Sequence, residues 1–243
     1  MADERPPWTA EFVLATPAVP RERHGRSDLF DPEAGEPRPL VVFVHGGPIP
    51  EDLPASPRDW PVYRGYGALA AANGVVGLTV DHRLHDVDTW GVAYSDVLDA
   101  AETARTDDRV DADRVAVWAF SGGGPLLAPL LAGPPPWLRV LAATYPILDS
   151  RPGRDLPEGF RPVQAVSSVV EPLPFVLTRV GLEAEDAAAA VERFVAAARD
   201  TALDLEIIDQ PRGQHGFDAM DYGPESQACV MAAMESVVGR LSA

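Results

Sequence analysis

The stretch Val115-Ala116-Val117-Trp118-Ala119-Phe120-Ser121-Gly122-Gly123-Gly124 constrains this chain more than any other. Val115–Ala119 is mostly apolar, with branched side chains at alternate positions, and reads as a buried strand. A serine follows, then three glycines, then Leu126-Leu127-Ala128, which suits a short helix. A sharp strand-to-helix turn lifts a serine hydroxyl above the sheet. The helix N-terminus behind it favours negative charge where that hydroxyl attacks. Small neighbours are needed because the turn brings two backbones close together. A plain helix N-cap serine fits the same letters, so the reading depends on what the rest of the chain supplies.

The rest supplies alternation. Short apolar runs at Leu40–Val44, Val75–Val80, Val115–Ala119, Val140–Thr144, Leu173–Thr178 and Leu203–Ile208 alternate with helical stretches. Runs of this kind predict a mostly parallel central sheet with helices on both faces. Glu11–Ala15 is read as an antiparallel edge. The helices are read at Gly65–Ala72, Tyr94–Thr103, Asp186–Arg199 and Glu225–Leu241. Val191, Phe194, Val195 and Ala198 recur at helical spacing, as do Val230, Ala233, Met234, Val237 and Leu241. These stripes face a core. Asp149–Glu171 breaks the rhythm with Pro, Gly and charge, and is read as either a surface loop or a short lid. No linker divides the 243 residues, so one α/β domain spanning 1–243 is expected.

Composition excludes several function classes. The net charge is −17, and all 20 basic residues are arginine, which disfavours nucleic acid and anionic membranes as partners. No apolar run approaches the length of a membrane span. Met1-Ala2-Asp3-Glu4-Arg5 precedes Pro6-Pro7 without an apolar segment, so no secretory signal is visible and a cytoplasmic location is expected. The single cysteine, Cys229, falls in the last helical stretch and reads as a small core residue.

Two further segments fit a nucleophilic Ser121. Upstream, Val42-Phe43-Val44-His45-Gly46-Gly47-Pro48 ends a strand in glycines that let backbone N–H groups turn toward the site. Gly46 and Gly47, with Gly122, are candidate donors of an oxyanion hole. His45 reads as a structural hydrogen-bonding residue. Downstream lies Gln210-Pro211-Arg212-Gly213-Gln214-His215-Gly216-Phe217-Asp218, after the last apolar run. A histidine in a glycine-flanked loop at that end of the sheet can reach Ser121, so His215 is the candidate general base. The acid that orients it is sought in Arg179-Val180-Gly181-Leu182-Glu183-Ala184-Glu185-Asp186. Glu183 is the first choice. Glu185 and Asp186 read as first-turn acids of the next helix and stay as alternatives. Of the other histidines, His24 reads as solvated, and His82 and His85 as pocket-lining. Trp90, Tyr145, His85 and Phe217 are candidate substrate-binding residues, and Trp60 and Tyr63 candidate walls.

With these segments in place the chain resembles the α/β-hydrolase superfamily, in particular small single-domain serine esterases similar to the dienelactone hydrolase group. The likeness runs from His45-Gly46-Gly47 through Ser121 and Tyr145-Pro146-Ile147-Leu148-Asp149 to His215-Gly216-Phe217-Asp218. It implies an α/β-hydrolase fold with little or no cap, Ser121 as nucleophile, His215 as base, an acid after the seventh strand, and no metal or organic cofactor. Three departures stand out. Ala119 replaces the first glycine of the usual Gly-x-Ser-x-Gly motif. A glutamate stands where aspartate is commoner. Serine stands where dienelactone hydrolases carry cysteine. Pro125 and Pro129 are expected to kink or shorten the nucleophile helix. The function expected is hydrolysis of a small ester-like molecule through a Ser121 acyl-enzyme. The alternatives are a cyclase, lyase or acyltransferase on the same scaffold, and a module that only binds.

Overall fold

The computed structural model describes residues 6–31 and 35–242. An eight-stranded sheet runs in the order β1-β2-β4-β3-β5-β6-β7-β8. Its strands are β1 (Arg21–His24), β2 (Ser27–Phe30), β3 (Arg38–Val44), β4 (Val76–Val80), β5 (Val110–Phe120), β6 (Leu138–Thr144), β7 (Leu173–Leu182) and β8 (Leu203–Gln214). β1 and β2 are antiparallel, β2 meets β4 antiparallel, and every other pairing is parallel. The helices are α1 (Pro61–Ala72), α2 (Trp90–Ala104), α3 (Ala128–Ala132), α4 (Pro162–Ala165), α5 (Glu185–Ala198), α6 (Phe217–Met220) and α7 (Pro224–Ser242). Among the described residues no helix is long and apolar enough to cross a membrane.

The sheet is covered on both faces because its strands are apolar on both. Along β5, Val115, Val117 and Ala119 face one core layer with Trp90, Val97, Leu130, Val191 and Phe194. Ala116, Trp118 and Phe120 face the other, with Val62, Tyr66 and Leu69 of α1 and Cys229, Val230, Met234 and Val237 of α7. Each fully buried Leu, Val or Phe contributes about 1.5–3 kcal/mol to these layers. Cys229 is part of this packing, and burial pushes its thiol up to about 12, so it carries no thiolate at neutral pH.

Several sequence expectations are corrected. The antiparallel edge is not Glu11–Ala15 but the hairpin β1–β2. β1 reads Arg-Glu-Arg-His and is exposed throughout, so no apolar alternation marks it. Its charges are held by ion pairs: the buried Asp28 carboxylate meets Arg23 at 2.8 Å and Arg21 at 3.2 Å. Phe12 and Val13 are buried but pair with no strand; the Phe12 ring lies 4.8 Å from that of Tyr66. β7 and β8 run well beyond Thr178 and Ile208. Gly181, Pro211 and Gly213 look like turn residues, but they lie in a bulge where the register steps from Val180↔Gln210 to Leu182↔Gln214. A bulge tolerates a proline that an even ladder excludes. The segment 149–171 packs on the first core layer through Leu156, Val166 and Val169. It does not line the cavity above Ser121 described below.

Candidate active site

β3 and β5 are neighbours whose outgoing connections leave in opposite directions, to β4 and to β6. A crevice opens at their carboxyl ends, the usual ligand position in an open parallel sheet. Ser121 follows β5 there with φ 50°, in the left-handed region that costs a non-glycine residue about 1–2 kcal/mol. Its carbonyl accepts the Ile147 N–H at 2.9 Å, which helps hold the turn. The helix that begins at the serine is not α-helical at first: the seven residues Ser121–Leu127 wind as a 3₁₀ helix, and α3 adds only Ala128–Ala132. The shortening expected from the two prolines is present.

The glycines after Ser121 are required by close approach. A methyl group built on Gly122 would lie 1.8 Å from the Gly47 carbonyl oxygen, and one on Gly123 2.5 Å from that of His45. The nucleophile turn and the loop after β3 therefore touch backbone to backbone. Gly46 sits beside the serine, where a side chain would lie 3.4 Å from Ser121 Oγ.

The bulge in β7–β8 brings together the other two residues. Leu182 and Gln214 form the last rung of that ladder, so Glu183 and His215 leave the sheet side by side. Ser121 Oγ lies 2.6 Å from His215 Nε2, and His215 Nδ1 lies 2.6 Å from Glu183 Oε2. With neutral imidazole, the serine hydroxyl donates to Nε2 and Nδ1–H donates to Glu183. Oε1 of Glu183 accepts the Ala184 N–H at 2.8 Å, which fixes the carboxylate's plane. Burial pushes this carboxyl's pKa up, but the His215 hydrogen bond and charge, the Ala184 N–H and Arg151 outweigh it and hold Glu183 below the ordinary glutamate range. It is anionic throughout the neutral range. The stability this contributes is present above the unfolded-state pKa and is lost as pH falls through the folded one. The alternatives lie elsewhere. Glu185 opens α5, exposed, and Asp186 meets Arg151 at 3.3 Å.

One candidate oxyanion donor is corrected. The Gly46 N–H donates to the Tyr63 hydroxyl at 3.1 Å, so it is already engaged. Gly122 lies in the first turn of its helix, where N–H groups have no intrahelical partner. Gly47 packs directly against it, which leaves Gly47 and Gly122 as the candidate pair. His45 is structural as expected: its Nδ1 donates to the Gly46 carbonyl at 2.6 Å, and its ring stacks on His82 at 3.7 Å. Burial pushes His45 down to about 4, so both stacked rings are neutral at pH 7.

A cavity of about 960 Å³ opens above Ser121 and His215, walled by Pro48, Ile49, Trp60, Val62, Tyr63, Tyr145, Ala219, Met220 and Tyr222. Of the four candidate substrate-binding residues, Tyr145 lines it. Trp90 does not: it opens α2 in the opposite core layer, against Phe160. His85 turns away, its Nδ1 on the Ile49 carbonyl at 2.8 Å, and Phe217 is fully buried. Met220 and Tyr222 carry no pattern in the sequence: α6 has four residues, too few for periodicity, and Tyr222 lies in the connection after it. Asp218 was missed as well. It is a fully buried carboxylate three residues beyond His215, and its only sequence signal is position.

Comparison with known proteins extends the fold. No family model matches the sequence, and no curated protein matches it either. Among solved structures, the chain is similar to a bacterial heroin esterase with a TM-score of 0.74 and 16% identity, over 88% of this chain and 79% of that one. The Pyrobaculum calidifontis esterase gives 0.71 and 19%, over 88% and 80%. Thermogutta terrifontis esterase 2 phosphoramylated by tabun gives 0.69 and 17%, over 93% and 96%. The chain has the α/β-hydrolase fold. At these identities the likeness speaks for the fold alone, and chemistry has to be argued from the residues.

Proposed function

We propose that the protein is a serine hydrolase that cleaves uncharged, apolar carboxylic esters through a Ser121 acyl-enzyme. The observation that carries this reading is the unbroken chain of short contacts from Ser121 Oγ through His215 to Glu183, at 2.6 Å each. His215 takes the Ser121 proton as Oγ attacks the carbonyl carbon, and Glu183 holds the imidazole's tautomer and stabilises the imidazolium. The N–H groups of Gly47 and Gly122 bind the carbonyl oxygen as it becomes anionic. His215 then protonates the leaving alcohol. Water, deprotonated by the same imidazole, attacks the acyl-enzyme; His215 then returns that proton to the departing Ser121 Oγ, and the acid is released. Solved esterases of the same fold support the assignment, and one of them is phosphoramylated by tabun.

Substrate charge follows from the cavity wall. Among the described residues it holds no arginine, and its one carboxylate, Asp218, is engaged by two tyrosine hydroxyls. In a chain of net charge −17, a carboxylate on the substrate would be desolvated with no partner. The test compares p-nitrophenyl butanoate with mono-p-nitrophenyl succinate, in which a carboxylate replaces the terminal methyl of the acyl chain. The neutral ester is expected to be favoured in kcat/KM by about 100-fold, which is about 2.7 kcal/mol. Equal turnover of the two would overturn the neutral-substrate reading. No turnover of any ester tried, by folded protein, would count against hydrolysis itself.

A further inference from the structure

Among the described residues no cation is bonded to the buried carboxylate of Asp218. It is fully buried, and its oxygens accept hydrogen bonds from Tyr66 at 2.9 Å and from Tyr145 at 2.7 and 2.8 Å. The groups that face it are Tyr63 and Tyr66 from α1, Tyr145 from the turn after β6, Cys229 from α7, and His215. His215 is the one among them that can become a cation. The Tyr145 ring lies 4.8 Å from the His215 ring, and Tyr145 is held at φ 38°, a strained conformation for a tyrosine. The Asp218 carbonyl also accepts the Val13 N–H at 2.8 Å. One side chain thus ties the helix after the β3 loop, the turn after β6 and the loop of the base into a single knot. Tyr63 and Tyr66 lie on the same face of α1, one turn apart; the first holds the Gly46 N–H and the second holds Asp218.

We infer that Asp218 is a positioning residue for His215: through Tyr145 it fixes the wall on which the imidazole rests, and its buried negative charge favours the imidazolium formed during catalysis. The inference rests on the serine-hydrolase reading above. Glu183 then holds the imidazole through its Nδ1, and Asp218 acts from the ring's Tyr145 side.

A cost on the folded state agrees with this. Burial pushes the Asp218 carboxyl up to about 6, against the lowering effect of the two tyrosine hydroxyls. A carboxyl whose folded pKa is raised contributes stability below its unfolded pKa, and that contribution is lost as pH rises through the folded one. At pH 8 the ionised Asp218 therefore makes the fold less stable.

The experiment is Asp218→Asn, with Tyr145→Phe as a second variant that keeps the ring and removes the hydroxyl. Asparagine keeps the shape and can bond both tyrosines, but carries no charge. Three results are expected for D218N: a Tm at pH 8 equal to or above wild type, a kcat lowered about tenfold with little change in KM, and an acidic limb of the kcat/KM profile displaced about one unit to lower pH. Y145F is expected to move the limb the same way by less. The His215 ring is also titrated by NMR in a Ser121→Ala background, with and without D218N; this reads the imidazolium directly and needs no substrate. An unmoved His215 titration in D218N, or in Y145F should D218N not fold, would overturn the inference. So would a loss of kcat that only follows a loss of Tm. A moved titration in a protein that hydrolyses no ester would keep the coupling and reject the serine-hydrolase reading.

Discussion

Ser121→Ala and His215→Ala each lower kcat/KM for p-nitrophenyl butanoate by about 10⁴- to 10⁶-fold, which is the expected result if the contacts described here form one catalytic unit. The magnitude follows from what each change removes. Without the Ser121 hydroxyl no acyl-enzyme can form, and water must attack directly. Without the His215 imidazole the hydroxyl keeps its proton at neutral pH, and the leaving alkoxide finds no acid. The double variant is expected to lose no more than either single one, because both act in the same step. Glu183→Gln is expected to lose about 10⁴-fold, since a neutral amide cannot stabilise the imidazolium and can favour the wrong tautomer. Initial rates on purified, folded variants check all four. Additive losses in the double variant would mean that Ser121 and His215 act independently and form no catalytic unit.

The second large effect comes from a residue that carries no side chain. Gly122→Ala places a methyl group 1.8 Å from the Gly47 carbonyl oxygen and 2.9 Å from the Gly47 nitrogen. That contact is backbone against backbone, so the two candidate donors must move apart. Loss of one oxyanion donor costs about 10²- to 10³-fold in kcat, and displacing both costs more. KM is expected to change little, because the donors bind charge that develops only in the transition state. Gly91→Ala is the control, since a methyl there meets nothing within 4 Å. Its kcat is expected to stay within about threefold of wild type, in keeping with a surface substitution worth about 0.5 kcal/mol or less. A Gly122→Ala enzyme within tenfold of wild type would remove Gly47 and Gly122 from the mechanism.

Much of this site was legible in the sequence because its parts are local. Ser121 follows an apolar strand and precedes three glycines, and each feature is confined to a few neighbouring residues. Glu183 and His215 were legible from chain order and loop chemistry, although their meeting depends on the Leu182↔Gln214 rung. That rung was hidden because Gly181, Pro211 and Gly213 read as strand ends when they in fact build a bulge. Gly46 was misjudged for a different reason. A free N–H and one capped by a tyrosine on the following helix look alike in a string of letters; the 3.1 Å contact to Tyr63 is tertiary. Trp90 likewise follows a strand at the correct end of the sheet, but helix α2 carries it into the opposite core layer. The β1–β2 hairpin escaped because its outer strand is stabilised by arginine–aspartate pairs in place of an apolar face. Asp218 escaped because nothing in Gly-Phe-Asp announces that two distant tyrosines will meet it.

Covalent labelling by a fluorophosphonate shows whether Ser121 is an activated nucleophile. The reagent needs an ionisable serine with a base and an oxyanion site, and it needs no knowledge of the natural substrate. One equivalent of phosphonate per chain is expected in the intact mass, mapped by peptide sequencing to Ser121, and none in Ser121→Ala or His215→Ala. Wild-type protein that is folded and remains unlabelled, or that labels at another residue, would contradict an activated Ser121.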